Sequence, residues 1–365
     1  MKIQEIINAL DELAPLAFQE SYDNAGLTVG DSNADAKGIL CAVDVTEDVI
    51  KEAVKLKANL IVSHHPVLFH GLKSLTGNSY NERIILKAIK HDIALYASHT
   101  NIDNMIGGVN HKICEKLGLT RCKIMNPLAG KLIKLVTFVP EKYADKVRTA
   151  LFESGAGTIG NYDNCSFNSS GTGTFKGDEN TNPFAGEKGK LQHEKEIRIE
   201  TIVPDHILSQ VINKLLLTHP YEEVAYDLYP LKNKYELAGS GMIGEFEKAI
   251  TKEEFFTLLK KTFGLSFVKY SGIDQENYKK IAVCGGSGSF LIHKAIQLKA
   301  HAFLTGDIKY HQFFDAEEKI TLCDIGHYES EQFTKEIFYS FLTKKFSKFA
   351  VHLSQTVTNP IKYHF

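Results

Sequence analysis

The tetrapeptide Ser63-His64-His65-Pro66 follows the apolar run Leu60-Ile61-Val62. Open α/β sheets place their ligands outside the carboxyl ends of buried strands, which is where these two imidazoles fall. Neighbouring strand residues point to opposite faces, so both rings can reach one target only after the chain leaves the strand. Pro66 favours an extended His65 and ends the ladder there. Three more apolar runs end in the same way. The run ending at Ser98 is followed by His99-Thr100-Asn101-Ile102-Asp103, and His301 to Leu304 by Thr305-Gly306-Asp307, with His311 beyond. Ile320 to Ile325 leads into Gly326-His327-Tyr328-Glu329-Ser330-Glu331. His327 and Glu331 are spaced i, i+4, so a helix starting at Gly326 puts both on one face; Asp307 and His311 share that spacing.

Neutral imidazoles with carboxylates make a ligand set for divalent zinc, iron or manganese. Three histidines and two carboxylates exceed what one tetrahedral zinc requires. The surplus points to two ions about 3.5–4 Å apart, joined by a carboxylate, as in dinuclear hydrolases. Each residue also has a plainer reading. Asp103 suits an Asx turn, Glu331 the first turn of a helix, and Asp307 with His311 a cap and an exposed face. His99 reads as a supporting or core histidine. Convergence of several strand ends, rather than any single residue, favours the metal. Gly285-Gly286-Ser287-Gly288-Ser289, between a strand and a helix, resembles a phosphate cradle but lacks the P-loop lysine and the full G-x-G-x-x-G, so a tight turn is the better reading; for a nucleotide substrate, this loop is where its phosphates are expected. Gly171 to Gly177 reads as a hairpin.

These residues need a scaffold. Ile39 to Val43, Thr46 to Lys57 and Leu60 to Ser63 read as strand, helix, strand, a right-handed crossover in a parallel sheet. A helix over 81–90 and a strand over 93–98 continue it. The theme returns at Lys280 to Cys284, Phe290 to Lys299 and His301 to Leu304. One offset without gaps relates Ile39 to Ile281, Ala53 to Ala295 and Val62 to Leu304, which duplication explains. Between the halves, strands over 132–139, 196–202 and 224–229, helices over 141–154 and 204–218, and a Gly/Ser/Asn-rich stretch over 161–190 follow a ferredoxin-like order. The expected architecture is α/β: half one over 1–125, an inserted ferredoxin-like α+β domain over 126–234, and half two over 235–365.

With 365 residues, 43% hydrophobic and 24% charged, the chain suits a multidomain globular protein. A net charge of −2 argues against a nucleic-acid partner. No apolar run approaches the roughly 20 residues of a membrane span, and the amphipathic start lacks a signal peptide's apolar core. The six cysteines are scattered without a C-x-x-C pair, so a reducing, cytoplasmic setting is expected and cysteine is not a ligand candidate.

The stretches SYDNAGLTVG, SHHP, HTNID, GSGS, TGD and GHYESE, in this order between residues 21 and 331, resemble the Nif-three-like proteins, the GTP cyclohydrolase I type 2 homologues. The resemblance implies a dinuclear metal site with ligands His64, His65, Asp103, His327 and Glu331. His99, Asp307, His311, Gly286, Ser287 and Gly288 are left as neighbours or substrate contacts. It also implies a ring-shaped homohexamer and an insert similar to the PII or CutA-type fold. The implied activity opens the imidazole ring of GTP, releasing formate and dihydroneopterin triphosphate. The same site would serve a phosphoester hydrolase, and a metal-binding regulatory protein without turnover is the reading from another class.

Overall fold

A computed structural model describes residues 1–364 and divides into two compact units. One comprises Met1–Pro127 and the chain from Leu237 onward; the other is Leu128–Glu236. The division falls slightly after 126 and 234 because the strands Thr120–Ala129 and Lys234–Thr251 both run through it.

The first unit holds two sheets. The five-stranded sheet has the order Gly26–Val29, Ala94–Ala97, Leu60–Ser63, Ile39–Ala42, Val351–Leu353. Its last four strands are mutually parallel, and Gly26–Val29 is an antiparallel edge. The six-stranded sheet runs Lys269–Gly272, Thr321–Asp324, Ala302–Thr305, Asn277–Val283, Lys234–Thr251, Thr120–Ala129. Its three central strands are parallel from Thr321–Asp324 to Asn277–Val283. Each half trades a strand across the expected boundary: Val351–Leu353 joins the five-stranded sheet and Thr120–Ala129 the six-stranded one. A three-residue run such as Val351-His352-Leu353 has no periodicity to announce its partner.

Both sheets are buried on both faces, which is why their parallel strands read as continuous apolar runs. Ile39, Leu60, Val62 and Tyr96 share one core with Ile281, Val283, Leu304 and Cys323, joined by Val109, Ile113 and Leu117 of the helix Val109–Leu117. The alternate residues Leu40, Ala42 and Ile61 pack under the helices Glu47–Leu56 and Tyr80–Lys90, and Ala282 and Phe303 form a third core. Each fully buried Leu or Ile contributes about 1.5–3 kcal/mol. Local signals fix the helix ends. Thr46 and Ser79 cap the helices that follow them by accepting from the amides of Val49 and Glu82.

The second unit is one antiparallel sheet, Ser166–Phe175, Gln192–Pro204, Leu132–Pro140, Tyr226–Leu231, with the helices Ala144–Glu153 and Leu208–Thr218 against one face. Order and pairing make a β-α-β-β-α-β ferredoxin-like unit. Within the stretch over 161–190, Ser166–Phe175 forms the second strand and pairs with Gln192–Thr201 over ten residues. As an edge strand with little burial it shows no apolar alternation, and the long partner strand overrides its weak propensity. Among the described residues no helix is long and apolar enough to cross a membrane.

Candidate metal centre

His64 and His65 follow Ser63, the last residue of the Leu60–Ser63 strand, and their rings diverge with centroids 4.7 Å apart. Gly326, at φ +83°, turns the chain after Thr321–Asp324 so that the short helix His327–Glu331 begins at once. The i, i+4 spacing then brings His327 Nε2 to 3.1 Å from Glu331 Oε2. His65 Nε2 lies 3.0 Å from the same oxygen. On the other side of the carboxylate, Oε1 is 3.5 Å from His64 Nε2, which is 3.7 Å from Asp103 Oδ1. Glu331 is thus shared by two groups of ligand atoms, His64 with Asp103 and His65 with His327.

Every imidazole here is held from behind. His64 Nδ1 donates to the Ser98 carbonyl at 3.0 Å, His65 Nδ1 to Asp44 at 2.7 Å, His327 Nδ1 to Asp307 at 2.7 Å and His99 Nδ1 to Asp23 at 2.8 Å. A proton fixed on Nδ1 leaves the Nε2 lone pair bare and aimed into the cluster, the usual preparation of a metal ligand. His65 Nε2 and His327 Nε2 face each other at 3.3 Å. The buried atoms His64 Nε2, Asp103 Oδ1 and Glu331 Oε2 have no hydrogen-bond partner. Burying such atoms unpaired is expensive, and lone pairs converging from six directions ask for cations. The donor set therefore fits divalent metal ions.

Charge tells the same story. Burial, reinforced by Glu331, raises the Asp103 carboxyl to about 8. Burial would also raise Glu331, but the imidazoles around it outweigh that and hold it well below the usual range. For His65 burial works against the charged form, yet Asp44 and Glu331 push it up to about 10. His327 reaches about 9 for the same reason, with Glu331 the main partner. Without cations the cluster gathers protons; divalent ions would take their place and release them.

The other expected residues fall out as follows. His99 comes closer than a supporting role requires: its ring centroid is 5.3 Å from that of His64 and 5.4 Å from that of His65, and the three offer nitrogens within one ion's reach. Asp307 takes φ +55°, so the i, i+4 pairing with His311 does not form, and its carboxylate bonds His327 and Ser287 instead. His311 is exposed on a short 3₁₀ helix beside Tyr310 and Phe314, outside all three ligand groups. The loop's three glycine amides are spent within the protein: Gly285 donates to Asn110, Gly286 to Ser330 and Gly288 to Thr305. A Cβ on Gly286 would stand 2.3 Å from Glu331 Oε1. The loop's glycines thus let it pass close over the shared carboxylate, and Ser287 Oγ braces Asp307.

Asp23 and Asp44 escaped the sequence reading. Asp44 follows the Ile39–Ala42 strand and obeyed the same strand-end rule; Asp23 sits in the SYDN turn and has no such signal. Thr358 bonds Asp44 and Asn359 bonds Glu329, tying the C-terminal segment to the centre. Above the cluster lies a cavity of about 660 Å³ lined by Tyr22, Phe69, Phe290, Asn110 and Ser240.

A two-sheet α/β unit with a buried His/carboxylate centre, interrupted by a ferredoxin-like insert, defines the class of protein. Residues 1–360 match the family model Duf34/NIF3 (NGG1p interacting factor 3), and the chain belongs to that family. It is 42% identical to the GTP cyclohydrolase 1 type 2 homolog of Halalkalibacterium halodurans over 89% of this chain and 88% of that one. Identity to the Bacillus subtilis protein of the same name is 38%, over 99% and 98%. A crystal structure of a Bacillus cereus protein related to NIF3 superposes with a TM-score of 0.88 at 37% identity, covering 100% of this chain and 99% of that one.

Proposed function

We propose that this protein is a hydrolase dependent on two divalent metal ions and acting on a nucleotide, with ring opening of GTP as the specific reaction. The observation that carries the reading is Glu331, a buried carboxylate shared between the His64/Asp103 and His65/His327 groups at the floor of an open cavity. His64, Asp103 and Glu331 would hold one ion, and His65, His327 and Glu331 the other. When bound, such a pair acts as a Lewis acid and makes water acidic enough to attack near neutral pH.

The chain's own groups supply the rest. Asp44 and Asp307 keep His65 and His327 in the tautomer that presents Nε2. Tyr22, Phe69 and Phe290 offer ring faces for a purine beside the cluster. His99, its Nδ1 held by Asp23, stands at the cavity wall, where its Nε2 would first accept a proton as a base and then return it to a leaving nitrogen. With its three glycine amides committed, the loop is a poorer phosphate cradle than its sequence suggests. The choice of GTP rests on the name carried by the relatives. The ring-shaped homohexamer belongs to the same proposal, with sedimentation velocity as its check.

The test is release of formate and of a fluorescent pterin from GTP by metal-loaded protein. Pterin formation that disappears in Glu331→Gln supports the full reading. Phosphate release from nucleotides or esters without formate would discard the cyclohydrolase step and keep the hydrolase. Bound metal with no turnover of either kind would replace both with a binding role.

A further inference from the structure

The inserted unit has a cavity of its own, of about 650 Å³, on the sheet face opposite its two helices. Leu135, Val139, Ile199 and Val203 turn toward the helices, so strand alternation sends Phe138, Glu196 and Arg198 to the other side, where they line the cavity. The glycines of the GTGTFKG stretch shape its wall. The position of a Cβ on Gly171 has no atom within 4 Å, whereas one on Gly173 would stand 2.1 Å from Glu196 Oε2. A side chain at the first would fill the space, and one at the second would displace the carboxylate.

Glu196 is the unusual member. It is only 8% exposed, and among the described residues no ion pair reaches it. The Tyr221 hydroxyl donates to its Oε1 at 2.8 Å. Arg198, on the same face, is engaged by Glu200 at 3.0 Å, and Lys134 takes the same partner at 3.1 Å. Glu222 and Glu223 add negative charge to the lining against Lys176 and Arg198. The Tyr221 ring that holds the carboxylate is itself flanked by two more rings of the cavity lining: Phe175 and Phe184 lie 5.8 and 6.0 Å from Tyr221, centroid to centroid. One hydroxyl leaves the charge of a buried carboxylate largely uncompensated, which favours a cation beside it, and ring faces in the same cavity attract a cation through their quadrupoles.

We propose that the inserted unit binds a small organic cation, an alkylated or protonated amine, with Glu196 as counter-charge and Phe175, Phe184 and Tyr221 as an aromatic cage. The volume suits a ligand of metabolite size. The site is separate in residues and chemistry from the His/carboxylate centre.

Isothermal titration of the full chain with choline and with spermidine tests this, with 3,3-dimethylbutanol as choline's neutral isostere and ATP as an anionic probe. The expected result is saturable binding of at least one cation, with the isostere about tenfold weaker or more. Glu196→Gln should weaken the cation by a similar factor while circular dichroism stays unchanged. Tyr221→Phe, which keeps the ring, should bind nearly as well as the parent, and Arg198→Ala should retain binding. Equal affinity for the isostere, indifference to Glu196→Gln, or no cation bound at millimolar concentration would each overturn the proposal. So would ATP binding that vanishes in Arg198→Ala, which would make this an anion site.

Discussion

Glu331 has two oxygens and three imidazole nitrogens within 3.5 Å of them, so one substitution tests the whole cluster. Glu331→Gln keeps the shape and removes the charge that both ligand groups share. Elemental analysis should show both metals lost, with the circular dichroism spectrum intact. His64→Ala should lower the content by about one ion per chain. Asp307→Ala removes only the group behind His327, so metal should still bind, about 10–100-fold more weakly. Gly286→Ala brings no new chemistry, only a Cβ at φ +60° and 2.3 Å from the carboxylate. It should displace Glu331 and reduce metal content much as Glu331→Gln does, and unchanged metal in this variant would refute the packing role given to the loop.

At the scale of elements, the connection before the helix Tyr80–Lys90 depends on one carboxylate. Glu82 accepts from the amides of Thr76, Gly77 and Asn78 and from the Thr76 hydroxyl. Those hydrogen bonds hold its pKa down to about 2, against 4.5 for a free glutamate. A depressed folded value means the contribution is fully present above about 4.5 and is lost as pH falls toward about 2. Amide exchange at Gly77 and Asn78, corrected for the intrinsic pH dependence, should therefore lose protection across that window. Glu82→Gln should show the low-protection pattern already at neutral pH. Protection that stays constant through the window would remove the capping role.

For the whole molecule, two units with separate cores predict two calorimetric transitions, and the candidate metal centre lies wholly within one of them. A ligand that binds only the folded state stabilises by about 2.7 kcal/mol at a hundredfold excess over its dissociation constant. Adding zinc or manganese should raise one transition and leave the other in place, and a chelator should reverse it. Movement of both together would show the units unfolding as one.

Much of this was readable from the chain. The strand-helix-strand order and the polar residues at strand carboxyl ends come from local patterning, and short-range sterics are enough to write them: a buried parallel strand must be apolar throughout, and His327 must share a helical face with Glu331 once Gly326 starts the turn. What local patterning could not write was anything that depends on distant partners. Nothing near Asp44 or Asp23 tells which imidazole each will hold, and nothing in Val351-His352-Leu353 says which sheet it will extend. Ser166–Phe175 becomes a strand only because Gln192–Thr201 lies beside it. The Gly286 backbone and the Glu331 carboxylate meet only in the folded chain. Candidate ligands could be picked out by residue type, spacing and resemblance, whereas convergence, tautomer and the cavity above them were decided by tertiary packing, because those are distances between segments that sequence separation does not constrain.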